Sequence, residues 1–208
     1  MDQPEKEKKP TGTRCFLAFE FSPESREYLE LELRPFAKHL TRDLKWDLRK
    51  VRPENWHVTL LFFEGLDSEQ RAEVWQAAES LAKEGIWKNL AFEWQKFSVW
   101  PNPRRPSLVC LEAALYPGAV EWPLPLTQSP YALGRVNHLQ QYRPHATLMR
   151  FHRRWRRSVG SEWEALKPDL PKIKPEKIKL DRLSMFLSTL SRDKPLYPRE
   201  FTVSLEAG

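Results

Sequence analysis

The feature of this sequence that most constrains its fold is a short pattern that occurs twice, each time inside an apolar run. Residues 56–60 read Trp-His-Val-Thr-Leu, and residues 144–148 read Pro-His-Ala-Thr-Leu. Both runs have the composition and the length of strands. The same strand motif in the first half and in the second half of the chain predicts two copies of one half-domain that face each other.

The rest of the chain predicts strands with helices between them. Strands are predicted over residues 14–21, 56–63, 92–100, 107–115, 145–151, 178–190 and 201–205. Helices are predicted after an N-cap at Ser22, after Asp67 and over residues 161–167, and Pro35 is expected to kink or split the first one. Four prolines make residues 117–130 an irregular connection. This pattern predicts an α+β fold with mainly antiparallel strand pairing.

Composition and charge limit the classes of protein to which this chain can belong. The 208-residue chain has a net charge of +6, which favours polyanionic partners such as RNA. The sequence predicts a disordered tail over residues 1–13 and one domain over residues 14–208. No apolar stretch reaches the roughly 20 residues that span a bilayer, and Cys15 and Cys110 lie in apolar runs without a thiol motif. We therefore expect a monomeric, cytoplasmic protein without a membrane segment.

The chemistry of the repeated motif follows from strand geometry. Side chains two apart on a strand point to one face, so His57 shares a face with Thr59, and His145 shares one with Thr147. Two such strands side by side place two imidazoles and two hydroxyls around one cleft. One imidazole can take a proton from water while the other donates one to a departing ribose oxygen. The hydroxyls can donate hydrogen bonds to phosphate oxygens as negative charge develops there.

This set predicts phosphodiester cleavage by general acid–base catalysis. We predict that His57 protonates the leaving oxygen and that His145 activates water, although the sequence fits either order. The scattered histidines and the two separate cysteines show no spacing typical of metal ligands, so we expect neither a metal nor another cofactor.

These motifs resemble those of the RNA 2′,3′-cyclic phosphodiesterases, also named 2′-5′ RNA ligases, of the two-histidine (2H) phosphoesterase superfamily. Residues 14–18 look like the opening strand, residues 54–60 like the first motif, and residues 144–150 like the second motif with its trailing arginine. Residues 183–190, with Tyr197 and Phe201, resemble the closing hairpin. The likeness runs from Arg14 to about Leu205.

The resemblance implies a bilobal fold, in which two related α+β halves surround a central cleft. It also implies that His57 and His145 are catalytic and that Thr59, Thr147 and Arg150 contact phosphate. Strict alternation puts Arg150 on the face opposite His145, so its reach needs strand twist or a bulge. The implied reaction hydrolyses 2′,3′-cyclic phosphate ends of RNA, such as tRNA fragments, to 2′-phosphates without a metal, with a weak reverse ligation.

The sequence departs from the family pattern at three places, which bear on substrate range and on the shape of the RNA groove. The glycine after the first motif is displaced by one position in residues 62–65. Residues 117–130 are proline-rich where the family has a helix, and residues 194–195 read Lys-Pro in place of Gly-Pro.

Further side chains are candidates for RNA contacts. Arg143, Arg153 and Arg154 belong to a basic cluster around the second motif, which fits RNA-backbone contacts and a solvated basic loop equally well. Phe62 is a candidate base contact and Trp100 could flank a base too, although core packing is the commoner role of such rings. Two other functions stay open: a phosphodiesterase of 2′-5′ oligonucleotides or cyclic nucleotides, and a non-catalytic RNA-binding module.

Overall fold

The computed structural model describes residues 12–87, 92–115, 126, 143–152, 157–188 and 197–205. In these ranges the strands are β1 (Thr13–Phe21), β2 (Leu48–Lys50), β3 (His57–Leu66), β4 (Phe92–Asn102), β5 (Arg105–Leu115), β6 (His145–Phe151), β7 (Leu180–Leu187) and β8 (Arg199–Ser204). The α-helices are α1 (Pro23–Lys38), α2 (Ser68–Lys83) and α3 (Val159–Leu166).

All eight strands join one antiparallel sheet, in the order β4-β5-β6-β3-β1-β7-β8, with β2 paired to β6. One half of the sheet holds β1, β3, β7 and β8, and the other half holds β2, β4, β5 and β6. Among the described residues, the halves meet through the pairing of Val58 in β3 with Ala146 in β6. The predicted α+β class with antiparallel pairing is confirmed. The short strand β2 was not predicted, because three residues are too few to show a period.

The helix ends follow local chemistry. Ser22 accepts a hydrogen bond from the backbone N–H of Ser25 at 3.2 Å, and Asp67 forms a capping box with Gln70 at the start of α2. The first helix is not split at Pro35 but continues to Lys38, and a π-helical turn over residues 39–43 follows. Burial of its apolar face offsets the one hydrogen bond that the proline removes; the buried apolar residues are Leu29, Leu33, Phe36 and Ala37.

The helices pack on different halves of the sheet. In α1, Phe36 contacts Phe97 of β4 and Trp163 of α3. In α2, Trp75 stacks on Phe201 of β8 at 5.4 Å between ring centroids. Among the described residues, no helix is both long and apolar enough to cross a bilayer.

Several strand bounds differ from the prediction. The predicted strands end at residue 100 and begin again at residue 107, whereas β4 and β5 extend to Asn102 and Arg105 and a tight turn joins them. The Asn102 side chain accepts hydrogen bonds from the backbone N–H groups of Arg104 and Arg105, both at 3.0 Å, which stabilises this tight turn. Residues 1–11 of the predicted tail and residues 117–130, apart from Leu126, lie outside the described residues.

Candidate active site

The two His-x-Thr motifs meet where β3 and β6 pair. Val58 and Ala146 lie opposite each other and are fully buried. Because side chains alternate along a strand, the residues on either side of this pair share the other face of the sheet. These four side chains are each partly exposed, and they are His57, Thr59, His145 and Thr147. The structure therefore brings together the four residues that the motif predicts.

A β-bulge turns Arg150 to the same face. Across β5 and β6, Val109 pairs with Met149 and Cys110 pairs with Thr147, so Leu148 is an extra residue in β6. Leu148 and Met149 are both buried, and Arg150 is partly exposed. The bulge that the reach of Arg150 requires is thus present, and Arg150 lines one cleft with His57 and Thr147.

The strand β3 carries a bulge at the matching position. Leu17 pairs with Leu61 and Ala18 pairs with Thr59, so Leu60 is the extra residue. The bulge places Phe62 opposite Phe16 with 5.5 Å between their ring centroids, and Phe62 is 48% exposed. Core packing is therefore the wrong expectation for Phe62, because the bulge turns its ring away from the buried face.

A hydrogen bond to a backbone carbonyl orients the ring of each histidine that is a candidate for catalysis. His57 Nδ1 lies 2.8 Å from the carbonyl oxygen of Asn55, and His145 Nδ1 lies 2.9 Å from that of Arg143. A carbonyl oxygen only accepts hydrogen bonds, so Nδ1 of each ring must carry the proton and donate it. This leaves Nε2 of both rings to exchange a proton with a substrate.

Aromatic rings surround His57. Its ring centroid lies 5.0 Å from Phe16, 5.7 Å from Phe186 and 5.9 Å from Tyr197. Burial by these rings is the largest cause that lowers the pKa of His57 to about 4. The positive charges of Arg150 and His145 lower this pKa further, whereas the bond to the Asn55 carbonyl and the charge of Glu20 raise it. His57 is therefore neutral at pH 7 in the unliganded protein.

The indole ring of Trp100 packs against His145. The Trp100 ring lies 4.2 Å from it between centroids, and the guanidinium of Arg143 lies 4.4 Å from the Trp100 centroid. Trp100 is only half-buried, so it lies beside His145 and not in the core. Burial lowers the pKa of His145, the bond to the Arg143 carbonyl and the charge of Glu112 raise it, and the charges of Arg143 and Arg150 lower it.

Each histidine also has a buried glutamate directly opposite on the next strand. Glu20 pairs with His57 across β1 and β3, and Glu112 pairs with His145 across β5 and β6. Both were missed from the sequence, where an isolated acidic residue inside an apolar strand is the only signal.

Hydrogen bonds keep both carboxylates ionised. Glu20 accepts from Ser184 and from two nitrogens of Arg199, and Glu112 accepts from Trp100 Nε1 and from Arg143 at 3.2 Å. Burial alone raises the pKa of each carboxyl, but these bonds outweigh it, so the pKa of each lies below its usual value. Each histidine therefore has a negative charge beside it.

The cleft beside His57 has a cationic wall. Its volume is about 200 Å³, and its lining includes His57, Thr147, Arg150 and Tyr197 together with Arg49, Lys50 and Arg52. The last three were missed from the sequence, although they directly precede the first motif. Of the predicted RNA contacts, Arg143 has an exposed side chain near His145, whereas Arg153 and Arg154 lie outside the described residues.

No group of three or more His, Cys, Asp or Glu side chains in the described part of the chain is arranged to hold a metal ion. The absence of a metal from the reaction stays a prediction.

Comparisons with known proteins agree with this fold. The family model of LigT-like phosphoesterases matches residues 27–110, which hold the first motif. Three solved structures superpose on nearly the whole chain. TT0787 of Thermus thermophilus is 19% identical, with 92% of this chain and 97% of that chain covered and a TM-score of 0.57.

The other two structures carry nucleotides. Escherichia coli LigT complexed with 3′-AMP is 18% identical, with 94% and 98% covered and a TM-score of 0.55. Kluyveromyces marxianus Usb1 with uridine monophosphate is 11% identical, with 93% and 98% covered and a TM-score of 0.50. No curated protein matches the sequence significantly. The predicted resemblance to LigT-like phosphoesterases is confirmed, and the structural matches show the fold.

Proposed function

We propose that this chain, which matches LigT-like phosphoesterases in sequence and in fold, hydrolyses 2′,3′-cyclic phosphate ends of RNA to 2′-phosphates without a metal. One observation carries the proposal. The pairing of β3 with β6 places both imidazoles on one face of the sheet. A backbone carbonyl binds Nδ1 of each ring, so Nε2 of each ring is available to a substrate. Two such nitrogens on one face suit in-line displacement at one phosphorus atom, since one can serve the entering oxygen and the other the departing oxygen.

The position of the cationic cleft supports the predicted order of acid and base, whereas the low pKa of His57 in the unliganded protein by itself favours the base role for this ring. His57 borders the cationic cleft, which suits the body of a polynucleotide, so the ribose lies on its side of the phosphate. His57 then donates a proton to O3′ as the bond between phosphorus and O3′ breaks. His145 takes a proton from the water that attacks from the opposite side. The products are a 3′-hydroxyl and a 2′-phosphate, and proton exchange with water then returns His57 to its protonated form and His145 to its neutral form for the next turnover.

Three further side chains stabilise the charge that builds on the phosphate. Thr59 and Thr147 lie on the face of the imidazoles and can donate hydroxyl hydrogen bonds to the non-bridging oxygens. The bulge at Leu148 brings Arg150 to the same face, where its guanidinium can form charge-assisted hydrogen bonds.

Substrate binding changes the proton balance of the pair. The pKa of both imidazoles is lowered in the unliganded protein, mainly by burial. A phosphate anion between the rings favours the imidazolium, so it raises the pKa of both and lets one proton stay on the pair. The weak reverse ligation uses the same groups, with the 5′-hydroxyl of a second RNA in the place of water.

The test uses purified protein, excess chelator and an oligonucleotide that ends in a 2′,3′-cyclic phosphate, followed by identification of the end formed. A 2′-phosphate supports the proposal, and turnover that requires added metal contradicts it. Parallel reactions contain a 2′-5′ oligonucleotide and a cyclic nucleotide. Turnover of these alone identifies the other phosphodiesterase, whereas RNA binding without turnover of any substrate identifies an RNA-binding module.

A further inference from the structure

Two arginines lie directly opposite each other in the short pairing of β2 with β6. The register places Arg49 against Arg150, and both line the cleft beside His57. Directly opposed residues of an antiparallel pair have Cβ atoms about 4.5–5.5 Å apart, and like charges at this spacing repel. Phosphate groups bound at these two guanidinium groups offset this repulsion.

The positive charge continues beyond this pair. Lys50 and Arg52 also line the cleft, and no acidic residue is among its described lining residues. Arg52 lies three residues before Asn55, whose carbonyl holds the His57 ring. Cations gathered in a partly enclosed cleft focus a positive potential along it. This potential extends away from the reacting phosphate on the side of His57.

The reaction itself needs only one cationic side chain in contact with the reacting phosphate. Thr59, Thr147 and Arg150 already serve the phosphate that lies between the two rings. Arg49 and Arg52 add two more guanidinium groups to the same cleft, and a mononucleotide has no second phosphate to offer them.

We propose that Arg49 and Arg52 form a second phosphate subsite, which binds the phosphodiester on the 5′ side of the terminal nucleotide. The substrate class is then an RNA oligonucleotide and not a mononucleoside 2′,3′-cyclic phosphate. Arginine suits this role because its planar fork donates paired hydrogen bonds to phosphate oxygens. This inference rests on the proposed function and specifies its substrate.

The experiment compares kcat/KM for a mononucleoside 2′,3′-cyclic phosphate with that for a dinucleotide that carries the same end. We expect the wild-type protein to favour the dinucleotide by about tenfold or more, as one charge-assisted contact supplies. A third substrate replaces the internal phosphodiester of the dinucleotide with an uncharged methylphosphonate, and it should lose this preference.

Two variants assign the effect to the subsite. Arg49→Gln and Arg52→Gln should each lower kcat/KM for the dinucleotide more than for the mononucleotide, so that the ratio of the two falls. Arg42→Gln makes the same charge change at an exposed position on the π-helical turn and should keep the wild-type ratio. Each arginine is replaced in a separate variant. The fold should stay intact in both, because each substitution removes only one of several like charges in the cleft.

The outcomes separate this inference from the proposed function. Equal kcat/KM for mononucleotide and dinucleotide, or an unchanged ratio in both arginine variants, overturns the subsite while the phosphodiesterase stands. A preference that survives the methylphosphonate also overturns it, since the second nucleoside then carries the effect. Absence of turnover with every cyclic-phosphate substrate overturns the proposed function itself.

Discussion

The two motif strands, β3 and β6, share one backbone arrangement and differ in the side chains around it. In each strand the histidine bonds to the carbonyl two residues before it, and a bulge falls on the leucine three residues after it. After the bulge, β3 presents Phe62 and β6 presents Arg150. Aromatic rings enclose His57, whereas Trp100 is the one aromatic ring against His145 among the described residues.

This difference separates what the backbone does from what the side chains do. The repeated backbone delivers two imidazoles in the same tautomer, which a symmetric displacement at phosphorus needs. The side chains remove the symmetry, because a nucleotide offers a charged part and a flat apolar part. Arg150 and Phe62, at matching positions of the two halves, suit those two parts.

The largest expected effect comes from removing either ring. His57→Ala and His145→Ala should each lower kcat on a cyclic-phosphate RNA by about 10²–10⁴-fold, because each removes one proton transfer. The double variant should be little slower than either single one, since the two rings act as a unit. The exposed His39 serves as the control, and His39→Ala should keep the wild-type rate. A single variant that keeps full activity would show that the rings do not form a pair.

The second largest effect is expected at the position after the bulge in β6, where the two motif strands differ. Arg150→Gln should lower kcat/KM by about 10–100-fold, because a charge-assisted hydrogen bond to the phosphate is lost. Steady-state rates on the same RNA measure this, with Arg42→Gln as the control for net charge. An equal loss in both variants would mean that Arg150 acts only through the overall positive potential.

The matching position in β3 should give a smaller effect. Phe62→Ala should raise KM about fivefold through lost stacking on a base, with little change in kcat. Leu31 is another exposed apolar side chain, at 55% exposure on α1, and Leu31→Ala should leave KM unchanged. If KM for an abasic cyclic-phosphate substrate rises as much in Phe62→Ala, stacking is not the role of this ring.

The smallest effect concerns the carboxylate beside His145. In the proposed mechanism the pair is active with one proton. The pKa of both rings lies below 6.5, so wild-type kcat/KM should peak on the acid side of that value. The negative charge of Glu112 raises the pKa of His145, so Glu112→Gln should lower this pKa and move the profile to lower pH. A pH series of kcat/KM measures the shift, and movement to higher pH would contradict the assigned sign.

The sequence was sufficient to predict those features of the site that depend on a single strand. Alternation along each motif predicted that His57 shares a face with Thr59, and that His145 shares one with Thr147. The four residues do lie on one face because the pairing of Val58 with Ala146 brings the strands into register. The caps at Ser22 and Asp67 were equally readable, because they depend on neighbours within one helical turn.

What depends on a neighbouring strand could not be predicted. The bulge at Leu148 exists only in the pairing of β6 with β5, so strict alternation assigned Arg150 to the wrong face. Arg49 reaches the cleft through β2, which pairs with a strand about a hundred residues further along the chain. Glu112 gains its place beside His145 in the same way.

The junction between the halves has a consequence for how the site admits a substrate. Within the described residues, β3 and β6 are tied by one residue pair, whereas β4 and β5 form a long ladder. This one pair fixes how the two motif strands lie relative to each other beside the histidines, so it controls how the two rings meet a substrate. Bulkier side chains at Ala146 would therefore change the distance between the two nitrogens without touching either histidine.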